Sequence, residues 1–300
     1  MAEAVQTGLV RAVQVANDAD VHRSANGLHF ATFGETGVPA PDLQSMIEAV
    51  PPAITAALKT HTYFFVPLAL REPEAARTGD SALVAETYTK EFDERAICHR
   101  SIALGTGRQG VFISTRLMGD RFALCFEFFI NIAHAFTDET GVPASFADLV
   151  WEQATGGGRG RFGVVRGETS MDAFEARNLA LGREAHDDGS GASLAAPRDA
   201  SRETTRRNRA FSLSAAAAPV SAPRSAVDEK ERNNYIAAAF SDALAMYLLS
   251  LAVDFDYGEL REREYPLLAP AALAARLKLV AELFPANAGY EFAIRYRRRA

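Results

Sequence analysis

Six side chains near the middle of this 300-residue chain are of the types that hold anions or move protons: Tyr88, His99, Ser101, Ser114, Arg116 and Glu127. A histidine exchanges its proton near neutral pH, an arginine grips carboxylate or phosphate with a planar fork, and a glutamate accepts a proton or binds a cation. The tyrosine and serines add hydroxyls that donate and accept. His99 and Glu127 are therefore the candidates for catalysis, and Arg116, His99, Tyr88, Ser101 and Ser114 the candidates for holding a small anionic ligand. Cys125 beside His99 would be a nucleophile pair only if the fold made them direct neighbours.

Whether these groups meet depends on one stretch, "RFALCFEFFINIAHAF", Arg121 to Phe136. Read as a helix, Glu127, Asn131, His134 and Asp138 form one polar stripe on an apolar cylinder. Read as a strand, Phe122, Leu124, Phe126, Phe128, Ile130 and Ile132 occupy every even position. The period-two match has no exception among the even positions, so the pattern predicts a strand over about 121–132, with 131–138 open between helix and strand.

Upstream, Gly119 and Asp120 stand between two alternating runs and read as a tight hairpin turn. Placing the greasy residues of neighbouring strands on one face sets Leu104 opposite Val111, Ser101 opposite Ser114 and His99 opposite Arg116. The resulting meander has strands at about 82–92, 96–104, 111–118 and 121–132. One face is apolar. The other gathers His99, Arg116, Ser101, Ser114, Cys125 and Glu127, with Glu86 beside Ser101 and Tyr88 beside His99. Antiparallel sheets often show a polar face to water, which is the plain reading of this one. Ile97, Ala103, Phe112 and Phe129 on the same side are poor choices for a wet surface, and a covered face must pair its charges or bind something.

Other motifs carry less. "GTGRQG", Gly105 to Gly110, matches the G-x-G-x-x-G expression, but a strand rather than a helix follows, so it reads as a loop between strands. "TGGGRGRFG" reads as an Arg-Gly linker. His22, His29 and His61 have no metal-ligand spacing, and no metal site is expected. No cofactor is indicated.

The remaining chain gives the frame. "PDLQSMIEAV" and "PPAITAALKT" read as short helices opened by proline, and "TYFFVPLALRE" as a strand made irregular or edge-like by Pro67. Residues 182–230 are rich in Ala, Ser, Arg, Asp, Gly and Pro and read as a disordered linker or loop. Beyond it come two helices, "ERNNYIAAAFSDALAMYLLSLAV" and "PAALAARLKLVAELFP", and an alternating final strand, "GYEFAIRYRRR", the segment 231–300 sharing one core with 1–181. The first of these helices is apolar but interrupted by Asp242, which favours a buried core helix over a membrane span. The expected fold class is α+β, an antiparallel β-meander packed with helices and carrying a long low-complexity loop.

A net charge of -6 and a sequence pI near 5.6 argue against nucleic-acid binding through overall charge. Two cysteines are too few for a disulfide framework and fit a reducing, cytoplasmic setting, and the N-terminus lacks signal-peptide character. The reading is a protein that binds a small anionic ligand on a covered sheet face, with catalysis undetermined. The alternative is a subunit of a larger assembly that contacts RNA phosphates through Arg206, Arg207 and Arg209 in the linker and Arg297, Arg298 and Arg299 at the tail.

Overall fold

The run HTYFFVPLAL carries apolar residues at both parities, the pattern of strands covered on both faces. The computed structural model describes residues 8–71, 82–156, 165, 167–182, 228–255 and 267–293. In it the run forms β4 (His61–Val66) and β5 (Leu68–Leu70), buried at every position. Pro67 sits between them. Its lack of an N–H does not make an edge strand; it marks the corner where the chain leaves one sheet for another.

β5 pairs with β6 (Leu83–Ala85) and β7 (Ala96–Ile97), and β6 also pairs with β1 (Leu9–Arg11), giving an antiparallel sheet ordered β1-β6-β5-β7. β4 is central in a second sheet, ordered β2-β3-β4-β9-β8, with β2 (His22–Arg23), β3 (His29–Thr32), β8 (His99–Ala103) and β9 (Gln109–Ser114). Its three middle strands run parallel and its outer strands antiparallel. The chain crosses between sheets again at Cys98, between β7 and β8.

Ser114 pins this corner. Its hydroxyl donates to the Ile97 carbonyl at 2.5 Å and accepts from the Ala69 N–H at 2.7 Å, while its own N–H donates to the Cys98 carbonyl at 2.9 Å. One face of the second sheet, with Phe64, Phe112 and Ile102, packs on α1 (Ala12–Asp18) and on Ala69, Val84 and Ile97 of the first sheet. Phe64 and Phe112 stack at 4.6 Å. The other face, with Phe30, Tyr63, Phe65, Val111 and Ile113, belongs to the larger core shared with the helices.

Those helices are α2 (Ala40–Glu48), α3 (Pro52–Thr55), α4 (Arg121–Thr140), α5 (Ala144–Thr155), α6 (Met171–Ala180), α7 (Glu229–Ala252) and α8 (Pro270–Leu283). The architecture is α+β. α7 is long and apolar enough to cross a membrane by length and composition, and it packs here against α4, α5, α6 and α8.

The segment expected as a strand over 121–132 is the first two-thirds of helix α4. Leu124, Cys125, Phe128, Phe129, Ile132, Ala133 and Phe136 are its buried apolar face, a helical spacing. The even-numbered alternation arises because the half-exposed Phe122, Phe126 and Ile130 flank that face. An apolar run of this length favours a helix over a strand. Asp120 is not a turn residue but the N-cap: its carboxylate accepts from the Ala123 N–H at 2.9 Å.

Three smaller expectations also give way. The strand over 82–92 shrinks to β6, and Lys90–Arg95 forms a 3-10 helix. The β8–β9 register differs by three residues: His99 lies opposite Ile113 and Ser101 opposite Val111. Gly105, Thr106 and Gly107 all take positive φ, so the chain reverses early and pairing resumes at Gln109. Leu104 then lies over Gly110, where a Cβ would sit only 3.0 Å from its Cδ1. Residues 290–293 form no strand, although the Tyr290 hydroxyl donates to the Ser45 carbonyl at 2.8 Å and Phe292 meets the Tyr247 ring at 5.3 Å. Residues 183–227, most of the expected linker, lie outside the described residues.

Replacing Ser114 with Ala leaves the Ala69 N–H and the Ile97 carbonyl buried with one partner fewer. The expected loss is about 1–3 kcal/mol of unfolding free energy, read from urea titration. A change within experimental error would show that the corner does not depend on this hydroxyl.

Candidate functional site

Alternation along β8 points His99 and Ser101 to one side, and the observed register makes this the side of Val111, Ile113, Phe65 and Tyr63. α4 covers that side. About two turns after its cap it presents Glu127, and the His99 Nδ1 meets the Glu127 Oε1 at 2.5 Å. The side chains are only 15% and 11% exposed, so the pair is largely shielded from water yet reaches the surface.

Asn131, one turn further along α4, completes the arrangement. Its Nδ2 donates to the Glu127 backbone carbonyl at 2.8 Å and to the Glu127 Oε1 at 3.1 Å. The carboxylate is thus held from below by an amide and occupied from above by the imidazole. With Nδ1 bound to the carboxylate, the chemistry of the ring is left to Nε2, which has no partner among the described residues. A carboxylate that orients an imidazole and offsets the charge it gains is the working part of many acid–base sites.

The other candidates fall elsewhere. Ser114 is fully buried, with its hydroxyl engaged in the sheet corner. Ser101 shares the face of His99 and is exposed. Tyr88 is 38% exposed, and its hydroxyl donates to Asp93 at 3.1 Å. Arg116 is three residues beyond Ile113, about 10 Å along the strand direction from the row that holds His99. It is exposed, and its guanidinium lies against Gly37, in the space a Cβ would fill. Cys125 is buried on α4, and burial pushes its thiol up to about 11, which suits packing rather than nucleophilic attack. Arg206, Arg207, Arg209, Arg297, Arg298 and Arg299 lie outside the described residues. The Gly105–Gly110 stretch joins β8 to β9 as a hairpin loop, with no helix after it.

A second polar cluster was not anticipated. Glu168 is fully buried between helices, and its carboxylate receives Arg276 Nη1 at 2.8 Å, Arg276 Nη2 at 3.2 Å and the Tyr235 hydroxyl at 2.5 Å. Arg177 Nη1 lies 3.9 Å from it. Arg276 Nε donates to the Gln153 Oε1 at 2.8 Å, and Gln153 Nε2 donates to the Ala272 carbonyl at 3.1 Å. Burial raises the Tyr235 phenol; burial also works against the Arg276 cation, but Glu168 and Tyr235 outweigh it and hold that group above its ordinary value. With Glu168 and Arg276 at 0% exposure, this cluster is a structural tie. The signal was available: Arg276 interrupts an apolar helix, and a charge there requires a partner.

Comparison with protein-family models, with curated proteins and with solved structures gives no match. The site is therefore read from its own geometry. Among the described residues no group of three or more His, Cys, Asp or Glu is placed to hold a metal ion.

Beside the buried tie, Asp242 of α7 accepts from the Thr169 hydroxyl at 2.7 Å and the Ser170 hydroxyl at 2.6 Å. Burial raises its carboxyl above the ordinary 3.8, against the pull of those hydroxyls and of His134. The native protein then binds more protons than the unfolded chain from about that pH upward, so the stability from this group is full below it and declines as pH rises through the native value. The Asp242→Asn variant cannot titrate there. In urea titrations from acid to neutral pH, wild-type stability should fall relative to the variant as pH rises; parallel curves, or a gap moving the other way, would contradict the assignment.

Proposed function

We propose that the protein binds a small acidic ligand at the open edge of the mixed sheet, where α4 crosses β8, with His99 Nε2 as the group that shares the ligand's proton. The observation that carries this reading is the 2.5 Å contact of His99 Nδ1 with Glu127 Oε1, backed by Asn131. A histidine needed only for packing does not require a shielded carboxylate on one nitrogen while the other is left without a partner. The Glu127 charge also favours a ligand that arrives with a proton. A preformed anion would face the carboxylate, whereas an acid that passes its proton to Nε2 leaves an imidazolium between two negative groups. Ser101, on the same strand face, is the nearest hydroxyl by register to support such a ligand.

Inorganic phosphate and a panel of small carboxylic acids, followed by thermal shift, test the reading on the wild type, His99→Gln and Glu127→Gln. At least one acid should raise the melting temperature of the wild type. The effect should vanish in His99→Gln, and affinity should fall about tenfold or more in Glu127→Gln, the scale of one charge-assisted hydrogen bond. The same response in all three proteins, or none in the wild type, contradicts it.

A further inference from the structure

At the opposite edge of the same sheet, a cleft of about 480 Å³ opens between β2 and α2. That volume falls in the range of small-molecule sites, roughly 300–1,000 Å³. Phe30, Val38 and Leu43 give it apolar surface, and Thr32 and Thr36 add hydroxyls. Its charged groups are His22 and Arg23 from β2 and Glu48 from α2.

These charges are not paired with each other. Arg23 has no carboxylate partner among the described residues; its guanidinium lies beside Gly27, with Nη2 3.6 Å from where a Cβ would stand. Among the described residues His22 has one carboxylate neighbour, the exposed Asp20 at 3.8 Å, and its ring meets Phe30 at 5.7 Å. Glu48 is half-buried, and its Oε1 is held by the Gln44 side-chain amide. Among the described residues nothing bonds its Oε2 and no cation reaches it.

Glu48 is also the last residue of α2, where the helix dipole is negative and a carboxylate is disfavoured unless a cation is near. The backbone carbonyls there are met by neutral amides: Asn26 Nδ2 donates to Ile47 and Val50, each at 2.8 Å, and Asn287 Nδ2 donates to Glu48 at 2.6 Å. Among the described residues the end of α2 thus meets no positive charge, while the strand across the cleft holds a guanidinium that no described carboxylate pairs.

We propose that this cleft binds a small zwitterion of the α-amino-acid type, its carboxylate on Arg23 and His22, its ammonium on Glu48, and an apolar side chain on Phe30, Val38 and Leu43. The charge arrangement selects the class. A simple anion is repelled by Glu48, a simple cation by Arg23, and an uncharged ligand leaves both without partners. This site is independent of His99, which lies four strands away from β2 at the other edge.

Calorimetric titration with L-leucine, 4-methylpentanoate (which lacks the ammonium) and 3-methylbutylamine (which lacks the carboxylate) tests the proposal on the full chain. Leucine should bind, and each truncated analogue should bind about tenfold or more weakly. In Glu48→Gln the preference for leucine over the acid should disappear, and in Arg23→Gln the preference for leucine over the amine. Because each variant is judged by its own ratio of affinities, a general loss of stability does not imitate the result. Absence of leucine binding to the wild type, equal affinity for all three compounds, or unchanged ratios in the variants would overturn it.

Discussion

A buried carboxylate must be matched, and the helical layer is arranged around the match made to Glu168. Leaving such a charge unpaired costs several kcal/mol, more than most single contacts supply. Four segments answer it: α8 through Arg276, α7 through Tyr235, α6 through Arg177, and α5 through Gln153, which fixes the Arg276 guanidinium. The segment that carries Glu168 is itself seated by a parallel bridge to Leu267 and by the Leu268 N–H on the Glu168 carbonyl at 3.0 Å. Hydrophobic contacts alone would let these apolar helices slide or rotate; the bidentate contact permits one alignment.

That alignment reaches the His99 site through packing. α7 is set by the buried tie at Tyr235 and lies against α4 along much of its length, with the Thr137 and Ser241 hydroxyls joined at 2.9 Å. α4 in turn packs on the sheet through Phe128, whose ring meets Tyr63 edge-on at 5.4 Å and Phe65 at 5.6 Å. The rotation of α4 about its own axis decides whether Glu127 reaches His99. The charge pair that is closed to solvent therefore helps to position the one that opens to it.

Much of this was legible in the sequence, and what was not has physical causes. The α+β class, the short proline-opened helices and the apolar helix interrupted by Asp242 follow from local pattern. α4 did not, because a helix with bulky residues around most of its circumference also satisfies a period of two, and Gly119-Asp120 serves a turn and a helix cap equally well. His99 and Glu127 were placed on one face by a strand pairing that does not exist; they meet because a helix, rather than a fourth strand, covers that face. The tie between Arg276 and Glu168 spans 108 residues, so no spacing rule reveals it. Pro67 was a true break, but local pattern does not say that the chain then joins a different sheet.

The most direct measurement is a double-mutant cycle on Glu168→Gln and Arg276→Met, with unfolding free energies from urea titration. The account predicts that Arg276→Met, which strands the buried charge, costs about 3–5 kcal/mol. It also predicts that the double variant loses clearly less than the two single losses combined, by about 1 kcal/mol or more. Strict additivity, or an Arg276→Met protein as stable as the wild type, would show that the helical layer does not depend on this contact.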